Sequence, residues 1–181
     1  DPAEAAPGTF APLSSRAAAE GLARQIRAAV DAGATLHAGG RLLEGPGAYL
    51  EPTVLTGITP DMAAHHEELF GPVAVVYRVA DDAEALALAN DTPYGLAASA
   101  WTNDLNRSLR ASAEIQAGCV WINDHIPIVS EMPHGGFKAS GFGKDMSAYS
   151  LEDYTNTKHV MLSRDKTPHK DWHNTIFRAR G

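Results

Sequence analysis

His66-Glu67-Glu68-Leu69-Phe70-Gly71-Pro72-Val73 runs straight into Ala74-Val75-Val76-Tyr77. Gly71 and Pro72 end whatever regular structure comes before them. The β-branched run from Val73 reads as a buried strand. The acid pair and Phe70 therefore sit on a loop at the entry of a core strand, a rigid place from which to hold a polar ligand group. Two adjacent glutamates on their own are ordinarily solvent-facing; what surrounds them gives the reason to read them otherwise.

Working outward, the chain alternates strands and helices. Upstream, residues 1–13 are rich in Pro, Ala and Gly and read as an irregular lead-in. Ser14 or Ser15 caps a helix to about Ala32, with Leu22, Ile26, Ala29 and Val30 on its apolar face and Gly33 ending it. Thr35 to Ala38 is a short strand. Tyr49 to Ile58 is extended, and Pro52 argues against a central strand there. Downstream, strand Val73–Val79 leads to a helix capped by Asp81 or Asp82, and then to the dense turn Asn90-Asp91-Thr92-Pro93-Tyr94-Gly95. A small-residue strand from Leu96 to Trp101 precedes a helix from Asn103 or Asp104 to about Gln116. Cys119-Val120-Trp121-Ile122 is the next strand, ending at Asn123. The order βαβαβ implies an α/β fold with a mostly parallel sheet flanked by helices. Ligands of such sheets collect at the carboxyl ends of the strands, where Asn123 and the loop after it lie.

That loop, 124–143, is the longest irregular stretch. It carries Ser130-Glu131-Met132-Pro133-His134-Gly135-Gly136-Phe137-Lys138-Ala139-Ser140-Gly141-Phe142-Gly143. Its length marks it as functional or disordered, and its aromatics, Met and Pro argue for function. A short helix around residues 144–150 follows. Lys158–Ser163 reads as a last, exposed-edge strand.

Composition narrows the function classes. With 181 residues, 44% of them hydrophobic, the chain has enough apolar surface for one full core and a tail. It begins at Asp1 rather than Met, which suggests a processed or partial product. No apolar run approaches the ~20 residues of a membrane span, and no signal-peptide pattern opens the chain. The single cysteine, Cys119, cannot form an internal disulfide and suits a reducing, cytoplasmic setting. The net charge of −7 argues against nucleic acid and acidic membranes as partners. From Lys158 to Gly181, however, six basic residues face two acids, so the tail is +4 on a body of −11. Cys119 lies mid-strand with no adjacent cation and reads as buried and inert rather than nucleophilic. His65-His66-Glu67-Glu68 lacks the His-Glu-x-x-His spacing, so no metal site is expected.

The ordered set Glu67-Glu68-Leu69-Phe70-Gly71-Pro72, Tyr94-Gly95-Leu96-Ala97-Ala98, Gly118-Cys119-Val120-Trp121-Ile122-Asn123, Gly135-Gly136-Phe137-Lys138-Ala139-Ser140-Gly141 and Tyr154-Thr155 resembles the C-terminal part of the aldehyde dehydrogenase superfamily. Tyr49-Leu50-Glu51-Pro52-Thr53-Val54-Leu55 fits it too. The loop Val129 to Gly136, with Gly143-Lys144-Asp145-Met146-Ser147 and the tail Trp172 to Phe177, most resembles the gamma-aminobutyraldehyde dehydrogenase branch.

The resemblance implies the C-terminal part of the aldehyde dehydrogenase fold. Residues 1–157 would belong to the catalytic domain and 158–181 would form an oligomerisation strand and basic tail. It further implies oxidation of an aldehyde, here an aminoaldehyde such as gamma-aminobutyraldehyde, to a carboxylic acid with NAD as cofactor and NADP left open. The family's cysteine nucleophile, general-base glutamate and oxyanion asparagine lie upstream of this stretch. No catalytic residue is therefore assigned here, and the isolated chain is expected to be inactive. Glu68 matches the ribose-binding glutamate, as suits a carboxylate facing a vicinal diol. Phe70 matches the aromatic beside the nicotinamide ribose, and Leu96 a residue near the nicotinamide ring. Ile128, Glu131 and His134 fall on the loop walling the aldehyde tunnel. Glu131, with Asp124 as a second acid, would attract the ammonium of an aminoaldehyde; alternatively, Glu131 caps the local backbone. Lys158–Ser163 would join a neighbouring copy's sheet in a homo-oligomer. A different class of reading makes the chain a non-catalytic module that assembles with a full-length relative.

Overall fold

The computed structural model describes residues 10–162 together with Arg164 and Lys170. Helix α1 (Arg16–Asp31) begins where Ser15, in extended backbone, accepts the Ala18 amide on its hydroxyl. It ends before Gly33, whose φ of +114° is a glycine's conformation. Ala19, Leu22, Ala23, Ile26 and Ala29 recur at helical spacing and are all buried. Leu22, Ala23, Ile26 and Ala29 pack with Leu50, Leu55, Ile58 and Met62 into one core, which Leu69, Val73 and Val75 flank.

Strand β1 (Thr35–Ala38) lies antiparallel to β2 (Thr53–Thr56), and β2 lies parallel to β3 (Val73–Val76). β2 is thus the middle strand of three, which corrects the expectation drawn from Pro52. The missing N–H falls one residue before the ladder begins, and the Thr53 amide already bonds Pro72 O at 2.8 Å. Between β2 and β3 sits a one-turn helix, α2 (Ala63–His66), which the apolar pattern did not reveal.

Helix α3 (Asp82–Asn90) is capped by Asp81, whose carboxylate accepts the Ala83 and Glu84 amides. The turn after it contains the two-residue strand β4 (Tyr94–Gly95). Strand β5 (Ala97–Ala100), helix α4 (Leu105–Glu114, capped by Asp104) and strand β6 (Cys119–Ile122) then form a βαβ unit with β5 parallel to β6. β4 pairs antiparallel with β7 (Phe137–Lys138), and α5 (Ser147–Asp153) follows.

The chain is α/β, but the single sheet expected from βαβαβ is resolved into three: β1-β2-β3, β4-β7 and β5-β6. The turn at 90–95 directs the backbone into the β4–β7 pair before β5 starts, so β3 and β5 do not share a ladder. Residues 158–162 form no strand, because a strand exists only where a ladder partner does. Val160, Met161 and Leu162 are 75–84% exposed. Ser163 and most of the basic tail lie outside the described residues.

Burial is uneven. Among the described residues, Ala111 is the only buried apolar side chain after Ala64. Trp101, Leu105 and Leu109, the last two one turn apart on α4, stay mostly exposed.

Candidate functional site

The acid pair is held from both sides. Gln25, on α1, donates its amide to Glu67 Oε2 at 3.1 Å and to the backbone carbonyl of Glu68 at 3.4 Å. Gly71 N bonds Leu69 O and Val73 N bonds Gly71 O, two tight turns that fix the loop at the entry of β3. A Cβ at Gly71 would press on the ends of the Leu22 and Leu13 side chains, which would have to shift. Leu69 packs inward, while Phe70 stands 78% exposed. The two glutamates thus differ: the Glu67 carboxylate has a partner, and the Glu68 carboxylate has none among the described residues. An unpartnered carboxylate beside an exposed aromatic ring, on backbone that is pinned, fits a ligand that offers two hydroxyls and an apolar edge.

Just upstream, the His65 side chain is 3% exposed and bridges three elements. Its Nδ1 lies 3.2 Å from the Tyr77 hydroxyl and its Nε2 3.3 Å from Asp91 Oδ2. The tautomer protonated on Nε2 satisfies both. Burial raises the Tyr77 phenol above its ordinary range.

A second locus lies on the other half. Leu96, His134, Gly135, Ser140, Phe142 and Tyr154 line an open cleft of about 650 Å³. Its loop is built by its own bonds. His134 and Asp145 exchange backbone hydrogen bonds at 2.8 and 2.6 Å, Ser147 N reaches Ser130 O, and Trp121 Nε1 donates to Pro127 O at 2.9 Å. At the carboxyl end of β6, Asn123 adopts φ +56° and clamps Thr102 through both atoms of its side-chain amide. Ser99 Oγ lies 2.8 Å from His125 Nδ1.

Of the residues singled out in the sequence, the structure brings Leu96 and His134 to one cleft. Glu68 and Phe70 share a loop elsewhere. Ile128 and Glu131 are exposed on the 124–134 segment and do not line the cleft. The Glu131 carboxylate accepts no bond from the described residues, so the local backbone cap is not formed. Gln25, His65, Lys138 and Ser140 were not singled out. Only the last two carried a signal, the Gly-Gly-Phe-Lys-Ala-Ser-Gly run.

Cys119 is half-buried in β6, and burial raises its thiol above the ordinary range. The sign is that of an unreactive sulfur, because the thiolate is the nucleophile and burial disfavours it. Alkylation by iodoacetamide near neutral pH is expected to run slower than that of free cysteine, and to accelerate only above the usual thiol range. Fast labelling at neutral pH would contradict this. Among the described residues no three His, Cys, Asp or Glu side chains are grouped to hold a metal, and no helix is long and apolar enough to cross a membrane.

Comparison with known proteins places this geometry. The sequence model described as the aldehyde dehydrogenase family matches residues 2–160. A succinate-semialdehyde dehydrogenase (NADP(+)) of Deinococcus radiodurans is 50% identical over 161 residues, covering 88% of this chain and 33% of that protein. Among solved structures, the NAD-dependent aldehyde dehydrogenase from Sinorhizobium meliloti superposes with a TM-score of 0.79 at 40% identity, over 85% of this chain and 31% of that one. The succinic semialdehyde dehydrogenase from Streptococcus pyogenes in complex with NADP+ does so with a TM-score of 0.81 at 34% identity, over 87% and 35%. The chain spans about a third of the length of the curated relatives it matches. The chain belongs to the aldehyde dehydrogenase family.

Proposed function

We propose that this chain is the C-terminal third of an NAD(P)-dependent aldehyde dehydrogenase, to which it contributes one wall of the cofactor site and the substrate loop. The observation that carries this reading is the unpartnered Glu68 carboxylate beside exposed Phe70, on a loop fixed by Gln25 and two tight turns. Glu68 would accept the two ribose hydroxyls, Phe70 would pack against the sugar, and Leu96 would flank the nicotinamide. The nicotinamide, when bound, would supply the hydride acceptor for the aldehyde carbon. The residues of this chain bind and orient; Cys119 supplies no nucleophile.

The substrate we infer is a short aldehyde with a charged far end, met by the loop that bears Ile128, Glu131 and His134. The free carboxylate of Glu131 supports an ammonium group there, as in gamma-aminobutyraldehyde. A second reading, succinate semialdehyde, is supported by the names of several relatives, including the 50%-identical one. Residues 158–162, exposed and without a ladder partner among the described residues, suit strand addition to a neighbouring copy. Residues 1–157 would remain with the catalytic domain.

One experiment separates these readings. The full-length protein is assayed for NADH and NADPH formation with gamma-aminobutyraldehyde, succinate semialdehyde and an uncharged aldehyde of equal length. The isolated chain is expected to give none. Glu131→Gln is expected to lower kcat/KM for the aminoaldehyde about fivefold and leave the uncharged aldehyde unchanged, the scale of a partly solvated charge pair. Preference for succinate semialdehyde, untouched by the substitution, would replace the aminoaldehyde reading.

A further inference from the structure

Helix α3 ends without a cation of its own: its last turn holds no basic residue. Its terminal carbonyls have no partner within the helix and carry the negative end of the helix dipole. The missing charge arrives from 46 to 48 residues downstream. Lys138 Nζ donates to Asn90 O at 2.7 Å and to Thr92 O at 3.1 Å.

Lys138 holds this position at a cost. Its φ is +53°, in the left-handed region that a side chain with a Cβ adopts reluctantly and glycine adopts freely. The flanking run Gly135-Gly136-Phe137-Lys138-Ala139-Ser140-Gly141 is rich in glycine, yet the strained position carries the longest side chain in it. A lysine at such a place fits when its ammonium has fixed work.

The bonds around it show what is fixed. Tyr94 pairs with Lys138 and Gly95 with Phe137. Ala139 N donates to Pro93 O at 2.9 Å, and Gly95 N donates to Ser140 Oγ at 3.0 Å. Asn90 adds its side chain, accepting Gln116 N at 2.8 Å and donating to Glu114 O at 2.9 Å. Leu96 follows β4 directly, and the segment around β7 supplies Gly135, Gly136 and Ser140 to the same cleft. The two walls of the cleft therefore meet at a single joint, where the Lys138 ammonium is the cation that binds the α3 terminus, while Lys144 Nζ lies 5.2 Å from the centre of the Phe137 ring and the Asp91 carboxylate turns to His65.

We propose that Lys138 is a positioning residue. By clamping the C-terminal end of α3 to β7, it sets the spacing between Leu96 and the loop that carries His134, and so the alignment of the aldehyde. The proposal rests on the reading of that cleft as the substrate end of a dehydrogenase site. The coenzyme ribose would be held by Glu68 and Phe70 on a separate loop, so loss of the clamp reaches the coenzyme only through Leu96 at the nicotinamide and weighs mainly on the aldehyde.

The test uses Lys138→Met, Lys138→Arg and Lys138→Ala in the full-length protein. Lys138→Met is expected to lower kcat/KM for the aldehyde about tenfold or more while the coenzyme KM stays within about twofold, since small misplacements at a reacting centre are costly. Lys138→Arg keeps a donor within reach and is expected to retain most activity. Ethylammonium added to Lys138→Ala is expected to restore part of the loss. Hydrogen exchange at the Gly95, Ala139 and Gln116 amides is expected to quicken in Lys138→Met and not in Lys138→Arg. Unchanged aldehyde kinetics in a folded Lys138→Met, or equal losses for aldehyde and coenzyme without ethylammonium rescue, would overturn the proposal. If the unsubstituted protein oxidises no aldehyde, the dehydrogenase reading falls. The exchange rates then decide the clamp on their own: unchanged protection in Lys138→Met refutes it.

Discussion

Gly118→Ala is expected to cost about 3 kcal/mol or more of folding stability, at the upper end for overpacking a tight site. The reason is a crossing of two backbones. A Cβ on Gly118 would collide with the carbonyl oxygen of Gly135 and lie 2.7 Å from its carbon, and neither is the free end of a side chain that can swing away. Gly118 N also bonds Gly95 O at 3.0 Å, so β6, the β4 turn and the glycine pair of the loop are stacked at one point. The backbone of Gly118 is not left-handed, so the demand is for space. Gly21→Ala is the internal control. It lies in α1 with nothing nearer than 3.8 Å, and it is expected to stabilise by about 0.5 to 1 kcal/mol. The melting temperature of the full-length protein reads both. Equal melting of Gly118→Ala and its parent would refute the crossing.

Glu68→Ala is expected to raise the coenzyme KM between roughly 10-fold and 100-fold. Hydrogen bonds to a charged group contribute about 1.5–3 kcal/mol each, and a factor of ten is about 1.4 kcal/mol. The substitution spares the loop, since Gln25 holds Glu68 by its backbone carbonyl and Glu67 by its side chain. Melting should therefore not change. Glu67→Gln keeps an acceptor for Gln25 and is expected to leave the coenzyme KM within about twofold. An unchanged coenzyme KM in Glu68→Ala would remove Glu68 from the site and with it the main support for the proposed cofactor wall.

Local signals carried the first half of the fold. A serine able to cap, an apolar stripe and a closing glycine located α1, and Thr35 to Ala38 and Cys119 to Ile122 were legible as strands to the residue. What stayed hidden depends on distant partners. β4 looks like a turn because its ladder partner, β7, lies more than forty residues on. The division of labour between Glu67 and Glu68 is made by Gln25, on another helix. α2 is too short to show a period. Residues 158–162 of the strand expected over 158–163 pair with no strand among the described residues. For the candidate site, residue types pointed to the loops, but which of them share a cleft was settled only by the three-dimensional path of the 124–146 segment.

The uneven burial has a consequence for stability. α1, α2 and β1 to β3 close on apolar contacts of their own, made within one continuous stretch of the chain. Among the described residues of the later half, Ala111 is the one buried apolar side chain, and Trp101, Leu105 and Leu109 face water. It gains little by collapsing alone. The early half is expected to hold its core without the later half, and the later half to gain most when a surface covers its apolar face. Until then that face is what a chaperone would hold.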